Sequence, residues 1–308
     1  MARLTILMAT YNGERFLKEQ LASFDAQSFQ DWDLWVSDDG SKDQTKEILR
    51  NFKFNSFHKL VVRDGPHEGF VKNFLDLTIS CENDAEYFAF SDQDDIWNKN
   101  KLKKAIDWLN TIPSSEPALY CSRTEIVGVS GKSSVPPIYS PLMKISPCFP
   151  NALVQSIAGG NTMVFNRAAK KLLEDFGGVV SVPSHDWWLY LLVTGVGGKV
   201  YYDSTPSLRY RQHGDNLVGS NRSLKALVIR LCKFLDGRFR KFNDENLEAL
   251  GKNIKLLTKT NQESYENFVL SKRNFGLKAL VYFQRSKAKR QGWLFNVALW
   301  VGVLLGRI

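Results

Sequence analysis

Short apolar runs that end in polar turns alternate with amphipathic stretches along the first 130 residues. The apolar runs predict β-strands, and they lie at residues 4–10, 33–37, 59–64, 86–92 and 118–127. The amphipathic stretches predict helices, and they lie at residues 14–24, 41–52, 69–77 and 99–109. This alternation is typical of βαβ units, so the sequence predicts an α/β fold with a mostly parallel central sheet flanked by helices.

The start of the second predicted helix carries a specific signal. Ser41 is followed by Gln44 three positions later, which is the spacing of a capping box. We therefore expect Ser41 to be the N-cap of that helix.

Composition limits the class of protein. The chain is 44% hydrophobic and 24% charged, as in folded globular proteins. It contains no run of eighteen apolar residues, which excludes a polytopic membrane protein. The four cysteines, at positions 81, 121, 148 and 232, form no CxxC pair, so we expect free thiols in a reducing compartment. The first apolar run is too short for a signal peptide, so we expect the protein on the cytoplasmic side.

The net charge of +9 is concentrated in the C-terminal part of the chain. Residues 1–219 contain 23 Lys+Arg and 26 Asp+Glu, whereas residues 220–308 contain 18 and 6. We therefore predict an α/β domain over residues 1–219 and a helical basic region over residues 220–308. Because the larger domain is slightly acidic, we expect no nucleic-acid partner.

The basic region mixes Lys and Arg with Leu, Phe and Trp, which is typical of amphipathic helices on an anionic membrane surface. Its last apolar stretch, residues 293–306, is too short to span a bilayer, and Trp293, Phe295 and Trp300 are candidate anchors. The alternative is a helical subdomain that packs its apolar face on the rest of the protein or, in a homodimer, on a second subunit.

Polar residues follow three of the predicted strands. They are Thr10, Tyr11 and Asn12 after the first strand, Asp38 and Asp39 after the second, and Asp92, Asp94 and Asp95 after the fourth. Ligands of open α/β sheets bind beyond the carboxyl ends of the strands, so we expect these residues to converge. The first strand is followed neither by GxGxxG nor by a Walker lysine loop, which disfavours dinucleotide-binding and P-loop proteins.

These strand ends suggest two ligand sites. Three carboxylates in four positions, Asp92, Asp94 and Asp95, repel one another unless a cation lies between them. We therefore predict a divalent cation, Mg²⁺ or Mn²⁺, whose shell a ligand diphosphate completes; the alternative is a solvated loop that caps the next helix. Asp39 and Tyr11 can form a slot for a pyrimidine base, or Asp39 can simply belong to an acidic turn.

Three later motifs contain further candidate residues. Asp186 precedes Trp187 and Trp188, so it is either a partly desolvated general base beside sugar-stacking rings or the N-cap of a helix with two core tryptophans. A polar loop holds the last candidates, Arg209, Arg211 and His213, which suit a diphosphate or a metal, or form a solvated basic loop. Gly160 and Asn161 belong to a glycine pair that allows close approach to a sugar, or to a turn that enters a strand.

Together the segments TILMATYNGERFL, VSDDGSKDQT, FSDQDDIW, GGNTMVFNR, SHDWW and YRQHGDN, in this order, resemble glycosyltransferase family 2, the GT-A type enzymes that transfer sugars from nucleotide diphosphates. The resemblance covers about residues 4–219. The SDQDDIW, HDWW and YRQHGDN forms are most similar to those of bacterial rhamnosyltransferases of O-antigen, capsule and cell-wall rhamnan assembly.

The resemblance implies a role for each motif. Thr10, Tyr11, Asn12, Asp38 and Asp39 would line the nucleotide pocket, with Asp39 on the base, and Asp92 would reach the ribose. Asp94 would bind the metal, and His213 would help to hold the metal or the diphosphate. Gly160 and Asn161 would face the sugar or the acceptor. Asp186 would be the catalytic base; the family usually has Glu-Asp where this chain has His185-Asp186.

The implied reaction is a single displacement. Asp186 would deprotonate an acceptor hydroxyl, which attacks the anomeric carbon while Arg209, Arg211 and His213 stabilise the departing diphosphate, so the configuration inverts. The resemblance suggests dTDP-β-L-rhamnose as donor and a polyprenyl-diphosphate-linked saccharide as acceptor, at the inner face of the cell membrane. The alternatives are a UDP-hexose donor, a sugar nucleotidyltransferase, or a non-catalytic sugar-nucleotide or membrane adaptor.

Overall fold

The structure is a computed structural model that describes residues 3–213 and 237–308. The described chain forms two compact units. The first contains residues 3–142, 158–180 and 199–213, and the second contains residues 143–157, 181–198 and 237–308. The predicted boundary between residues 219 and 220, and the start of the predicted basic region, lie outside the described residues.

The first unit is built on one sheet. Its strands are β1 (Leu4–Thr10), β2 (Trp32–Asp38), β3 (Leu60–Asp64), β4 (Tyr87–Ser91), β5 (Ile96–Trp97), β6 (Ala118–Val127), β7 (Ile138–Tyr139), β8 (Val164–Asn166) and β9 (Lys199–Arg211). The strands lie in the order β3-β2-β1-β4-β8-β6-β9-β5, and β7 pairs with β6.

The sheet is parallel on one side and mixed on the other. Strand β1 pairs in parallel with β2 and β4, and β2 pairs in parallel with β3. Strand β8 is antiparallel to both β4 and β6, whereas β6 and β9 are parallel. The predicted α/β class is confirmed, and the antiparallel β8 makes the sheet mixed where the sequence predicted a mostly parallel one. All five predicted strands are present, with ends shifted by a residue or so.

The helices of the first unit pack their apolar sides on this sheet. They are α1 (Leu17–Asp25), α2 (Thr45–Asn55), α3 (Phe70–Ser80), α4 (Lys101–Leu109) and α6 (Arg167–Asp175). Leu17, Leu21 and Phe24 of α1 are buried in a core that also contains Leu34 and Val36 of β2. Loops follow the carboxyl ends of β1, β2 and β4.

The predicted capping box at the start of α2 is wrong. The helix begins at Thr45, whose backbone N–H donates to Asp43 Oδ1 at 3.0 Å, and Gln44 makes no side-chain cap. Ser41 instead donates its hydroxyl to Asp38 Oδ2 at 2.6 Å. The buried carboxylate of Asp38 needs a donor, and this need outweighs a helix cap that Asp43 can supply.

The second unit is helical. Its helices are α5 (Phe149–Ala152), α7 (His185–Gly195), α8 (Arg238–Gly251), α9 (Lys259–Arg273), α10 (Gly276–Ser286) and α11 (Trp293–Leu304). Helix α7 is buried along its length except at Asp186. Thr258 is the N-cap of α9, and its side chain accepts the backbone N–H of Asn261. In the described part of the chain, no helix is both long and apolar enough to cross a membrane. The three described cysteines are free, as predicted, and Cys232 lies outside the described residues.

Candidate active site

The three polar strand ends of the first unit lie together, as predicted. Thr10 at the end of β1 donates its hydroxyl to Asp38 Oδ2, at the end of β2, over 2.9 Å. The next residue, Tyr11, is bound through both backbone groups to the side-chain amide of Gln93, which follows β4; both hydrogen bonds are 2.9 Å long. The parallel pairing of β1 with β2 and β4 brings these ends to one edge, and the hydrogen bonds fix them there.

Adjacent carboxylates after β2 have different surroundings. Asp38 is fully buried, and it accepts hydrogen bonds from Thr10, from the Ser41 hydroxyl and from the Ser41 N–H. Asp39 is half-buried and accepts backbone N–H bonds from His67 (2.7 Å) and Gly69 (3.0 Å) in the loop before α3. Asp38 therefore stabilises the loop after β2, and Asp39 orders the loop beside it.

The residues after β1 also divide into internal and exposed groups. Asn12 adopts a positive φ of 48°, and its side-chain oxygen accepts the N–H of Lys42 at 2.9 Å. Tyr11, by contrast, is 56% exposed even though its backbone is fixed by Gln93. The phenol ring is thus the part of this segment most open to a ligand, as a base-covering ring requires.

The acidic loop after β4 has the composition of a cation site. Asp92, Asp94 and Asp95 each offer a carboxylate oxygen, and these oxygens lie within 4.8 Å of one another. His213 Nε2 lies 2.9 Å from Asp94 Oδ2. Neighbouring ligands of an octahedral Mg²⁺, at about 2.1 Å from the ion, are separated by roughly 3 Å. Asp94 and His213 are hydrogen-bonded to each other here, and the same separation suits two adjacent ligands of one divalent cation.

Asp95 is an internal support of this cluster. It is buried, accepts a 2.5 Å hydrogen bond from Asn161 Nδ2, and accepts the backbone N–H of Arg211 at 3.2 Å. Burial, reinforced by the neighbouring charge of Asp94, raises the pKa of Asp95 to about 7. Because Asp95 is buried whereas Asp92 and Asp94 are half-buried, the latter two are the more accessible carboxylates of the cluster.

Lys101 lies beneath the cluster, and the sequence reasoning missed it. Its ammonium group is buried, donates to the Asn161 carbonyl oxygen and lies 3.5 Å from the centre of the Trp97 ring. Burial lowers the pKa of Lys101, while Asp95 and Asp92 oppose that shift. The sequence does contain one indication that Lys101 is buried: Lys101, Ala105 and Leu109 are spaced four residues apart, on one buried side of α4.

Arg211 is buried and connects the acidic loop to two other segments. Its Nε donates to the Asp94 carbonyl oxygen at 3.0 Å, and one Nη donates to Glu19 Oε2 at 2.9 Å. The guanidinium lies 4.6 Å from the centre of the Phe16 ring, which also contacts His213 at 4.9 Å between ring centres. Arg209 is only half-buried and binds the Gly131 carbonyl. Of the two arginines predicted for the diphosphate, Arg209 is therefore the more accessible.

The glycine motif forms a short 3₁₀ helix, Gly160–Thr162, before β8. Gly160 and Asn161 are both buried, and the Asn161 amide is bonded to Asp95. The motif is thus an internal partner of the acidic loop as well as a turn that enters a strand.

Asp186 lies in the second unit, in the first turn of α7. Ser184 is the N-cap of this helix, and its hydroxyl donates to Asp186 Oδ1. Asp186 is half-buried, the one residue of α7 that is not buried. His185 beside it is buried, which lowers its pKa to about 3 and keeps the imidazole neutral.

The two tryptophans after Asp186 are core residues. Trp188 is fully buried, and the indole N–H of Trp187 donates to the Ala152 carbonyl oxygen at 2.7 Å. A ring that stacks on a sugar needs an exposed face, so the structure favours the alternative interpretation of Trp187 and Trp188, in which they pack inside the protein.

Comparison with known proteins identifies the relatives of this chain. The family described as "Glycosyl transferase family 2" matches residues 5–171. The dTDP-rhamnosyl transferase RfbG of Shigella flexneri is 32% identical over 248 residues, which are 76% of this chain and 81% of the relative. The UDP-Glc:alpha-D-GlcNAc-diphosphoundecaprenol beta-1,3-glucosyltransferase WfgD of Escherichia coli is 28% identical over 106 residues, 34% of this chain and 40% of the relative.

A solved structure shares the fold. The mannosyltransferase PcManGT from Pyrobaculum calidifontis, in complex with GDP-Man and Mn²⁺, has a TM-score of 0.53 at 16% identity, and the match covers 100% of this chain and 76% of that chain. The expected GT-A fold is thus confirmed.

The support that Asn161 gives to Asp95 can be tested by denaturation. We expect Asn161→Ala to lower the free energy of unfolding by about 2 kcal/mol, because hydrogen bonds to charged groups contribute roughly 1.5–3 kcal/mol. The matched control is Asn73→Ala, since Asn73 is equally buried but donates to the neutral Ser37 carbonyl oxygen at 3.1 Å. Its expected loss is about 1 kcal/mol. The urea titrations are made about two pH units above the pKa of Asp95, where the carboxylate is ionised, and equal losses in the two variants would then contradict a charged partner at position 95.

Proposed function

We propose, since the chain belongs to glycosyltransferase family 2, that it is an inverting, metal-dependent enzyme that transfers a sugar from a nucleotide diphosphate to a hydroxyl acceptor. The observation that carries this proposal is the Asp94–His213 pair beside Asp92, at the sheet edge where Tyr11 is exposed. A cation site next to an exposed aromatic ring suits a ligand that joins a diphosphate to a planar base.

For the donor we propose dTDP-β-L-rhamnose. The support is the Shigella flexneri relative, which is a dTDP-rhamnosyl transferase and aligns over most of both chains. The Escherichia coli relative has a UDP-glucose donor, and it aligns over a much shorter segment. A UDP-hexose is therefore the alternative donor, with Tyr11 covering the base and Asp39 accepting its imide N–H in either case.

For the cofactor we propose Mg²⁺ or Mn²⁺, held by Asp94 and His213, with Asp92 directed to the ribose. The cation would neutralise charge on the diphosphate as the sugar departs. Arg209 would contact the same diphosphate. Arg211 would act through Asp94, because its guanidinium holds the Asp94 carbonyl and is itself buried.

For the proton transfer we propose Asp186. The acceptor hydroxyl would give its proton to the Asp186 carboxylate while its oxygen forms a bond to the anomeric carbon and the bond from that carbon to the diphosphate oxygen breaks. The electron pair leaves with the nucleoside diphosphate, so a β-linked rhamnosyl donor yields an α-rhamnoside. The hydrogen bond from Ser184 and the helix N-terminus favour the ionised carboxylate that this role needs.

For the acceptor we propose a polyprenyl-diphosphate-linked saccharide in cell-surface polysaccharide synthesis, reached by an enzyme that is peripheral at the inner face of the cell membrane. The Escherichia coli relative supports this acceptor, because it transfers glucose to a saccharide on diphosphoundecaprenol.

The proposal is tested by incubating purified protein with a panel of nucleotide sugars and a lipid-linked acceptor, with and without chelator. We expect release of dTDP from dTDP-rhamnose that stops when the metal is removed. Faster release of UDP from a UDP-hexose would identify the alternative donor. Net synthesis of a nucleotide sugar would show a nucleotidyltransferase instead, and binding without turnover would show an adaptor.

The base assignment predicts a specific kinetic defect. Asp186→Asn should lower the transfer rate by at least about a hundredfold, because general base catalysis contributes roughly 10²–10⁴-fold, while donor affinity stays within about twofold. The matched control is Asp107→Asn, on the exposed side of α4, which should leave both values unchanged. Donor binding is measured by calorimetry and transfer by product formation. A parallel loss of donor affinity would reject Asp186 as the base.

The metal assignment predicts a change in metal response. Asp94→Ala should weaken metal-dependent donor binding by at least about tenfold, since even loss of an outer-shell partner of a metal ligand typically costs 10–100-fold. Calorimetric titration of donor at several metal concentrations gives the measurement, with Asp107→Ala as control. If the metal dependence of Asp94→Ala matched that of the parent protein, Asp94 would not be a ligand.

A further inference from the structure

Helix α11 presents an apolar face to solvent. The exposed residues recur with the spacing of a helix, and we call them the α11 face: Trp293, Leu294, Val297, Trp300, Val301, Leu304 and the adjoining Leu305. Their exposed fractions lie between 40% and 72%, and the helix contains no charged residue. Isolated exposed apolar residues are normal, but a contiguous exposed face of this kind marks an interaction site.

The opposite side of α11 is fixed within the second unit. Leu299, Gly302 and Val303 of α11 are buried. Trp300 of the α11 face is itself partly packed, because Phe283 of α10 meets its ring edge-to-face with ring centres 5.2 Å apart. The ring of Phe275 lies against Gly306, so closely that an added Cβ there would be 2.6 Å from it. The α11 face is therefore the outer side of a helix that is already packed.

The charge along residues 267–308, which include this helix, has one sign, although Asp244 of α8 pairs with Arg240, which contacts the Gly306 carbonyl. Residues 267–308 contain eight Lys and Arg and no Asp or Glu. Six of these cations are exposed: Arg273, Lys278, Arg285, Lys287, Lys289 and Arg307. In a symmetric dimer through the α11 face, both subunits would use the same surface, so two sets of exposed cations would come together and repel each other. An anionic lipid surface would attract them instead.

We propose that α11 binds in the plane of an anionic lipid bilayer, with the α11 face in the boundary between headgroups and acyl chains and the exposed cations on lipid phosphates. Twelve residues extend about 18 Å, less than the roughly 30 Å of a hydrocarbon core, so the helix lies on the membrane. Trp293 and Trp300 have the amphipathic rings that favour this boundary. The benefit to catalysis rests on the proposed function, because a lipid-linked acceptor is presented at the same surface.

Phe295, a predicted anchor, does not belong to this face. It is half-buried, and the Arg290 guanidinium lies 5.7 Å from its ring centre. The anchors that the structure supports are the two tryptophans.

The test is flotation of the full chain with phosphatidylcholine vesicles that contain or lack phosphatidylglycerol. We expect the parent protein to float with the anionic vesicles and to remain at the bottom with the neutral ones. Leu304→Glu should reduce flotation by at least about tenfold, since a carboxylate on the lipid-facing side opposes both apolar burial and anionic lipid. The matched control is Leu256→Glu, because Leu256 is 46% exposed against 42% for Leu304 but lies outside the face. It should float like the parent.

Three results would overturn the proposal: no flotation of the parent protein with anionic vesicles, equal loss in both variants, or a vesicle-independent dimer in ultracentrifugation that Leu304→Glu dissociates. The third result would identify a second copy as the occupant. Flotation requires neither donor nor acceptor, so failure of the transferase assay would leave this inference intact. Conversely, donor turnover by a parent protein that does not float would refute the inference and leave the proposed function standing.

Discussion

The candidate site depends on two buried carboxylates that must find hydrogen-bond donors. Asp38 ends β2 and Asp95 follows β4, and both are almost completely excluded from water. A desolvated carboxylate without donors is strongly destabilising, so the neighbouring segments are held to the arrangement that supplies them. Thr10 and Ser41 serve Asp38, whereas Asn161 and the backbone of Arg211 serve Asp95. These contacts tie together segments that lie up to about 120 residues apart in sequence.

Each buried carboxylate has a more exposed carboxylate directly beside it in the chain. Asp39 follows Asp38, and Asp94 precedes Asp95, and in both pairs the accessible member is the one suited to a ligand. In each two-residue motif one carboxylate is buried and its neighbour is partly accessible, although Asp39 also accepts the backbone N–H groups of His67 and Gly69. The proposed cation site needs this arrangement, because it leaves Asp94 partly accessible beside a buried neighbour.

The sequence predicted what local patterns determine. Strands β1 to β4 follow from apolar runs, and the convergence of their ends follows from parallel pairing, which is why Tyr11 and Gln93 meet. It did not predict relations that depend on distant partners. Lys101 was not singled out, because its partner Asn161 lies sixty positions away, and the three-residue strand β8 is too short to show a periodicity. Ser41 had the spacing of a cap, but the demand of Asp38 for donors took precedence.

The same distinction applies to charge. The sequence shows that the basic excess belongs to the C-terminal part, but a sum of charges does not reveal which side chains are accessible. Lys272 lies within that part yet is largely buried, with its ammonium 3.1 Å from Asp244, and burial lowers its pKa. Arg290 is likewise withdrawn between Phe239 and Phe295. Fewer cations than the sequence contains therefore contribute to the electrostatic field outside the second unit. The direction of that field depends on where the helices place the exposed lysines and arginines. Under the proposed membrane binding, burial of the tryptophans and attraction of the exposed lysines and arginines would both favour an anionic surface.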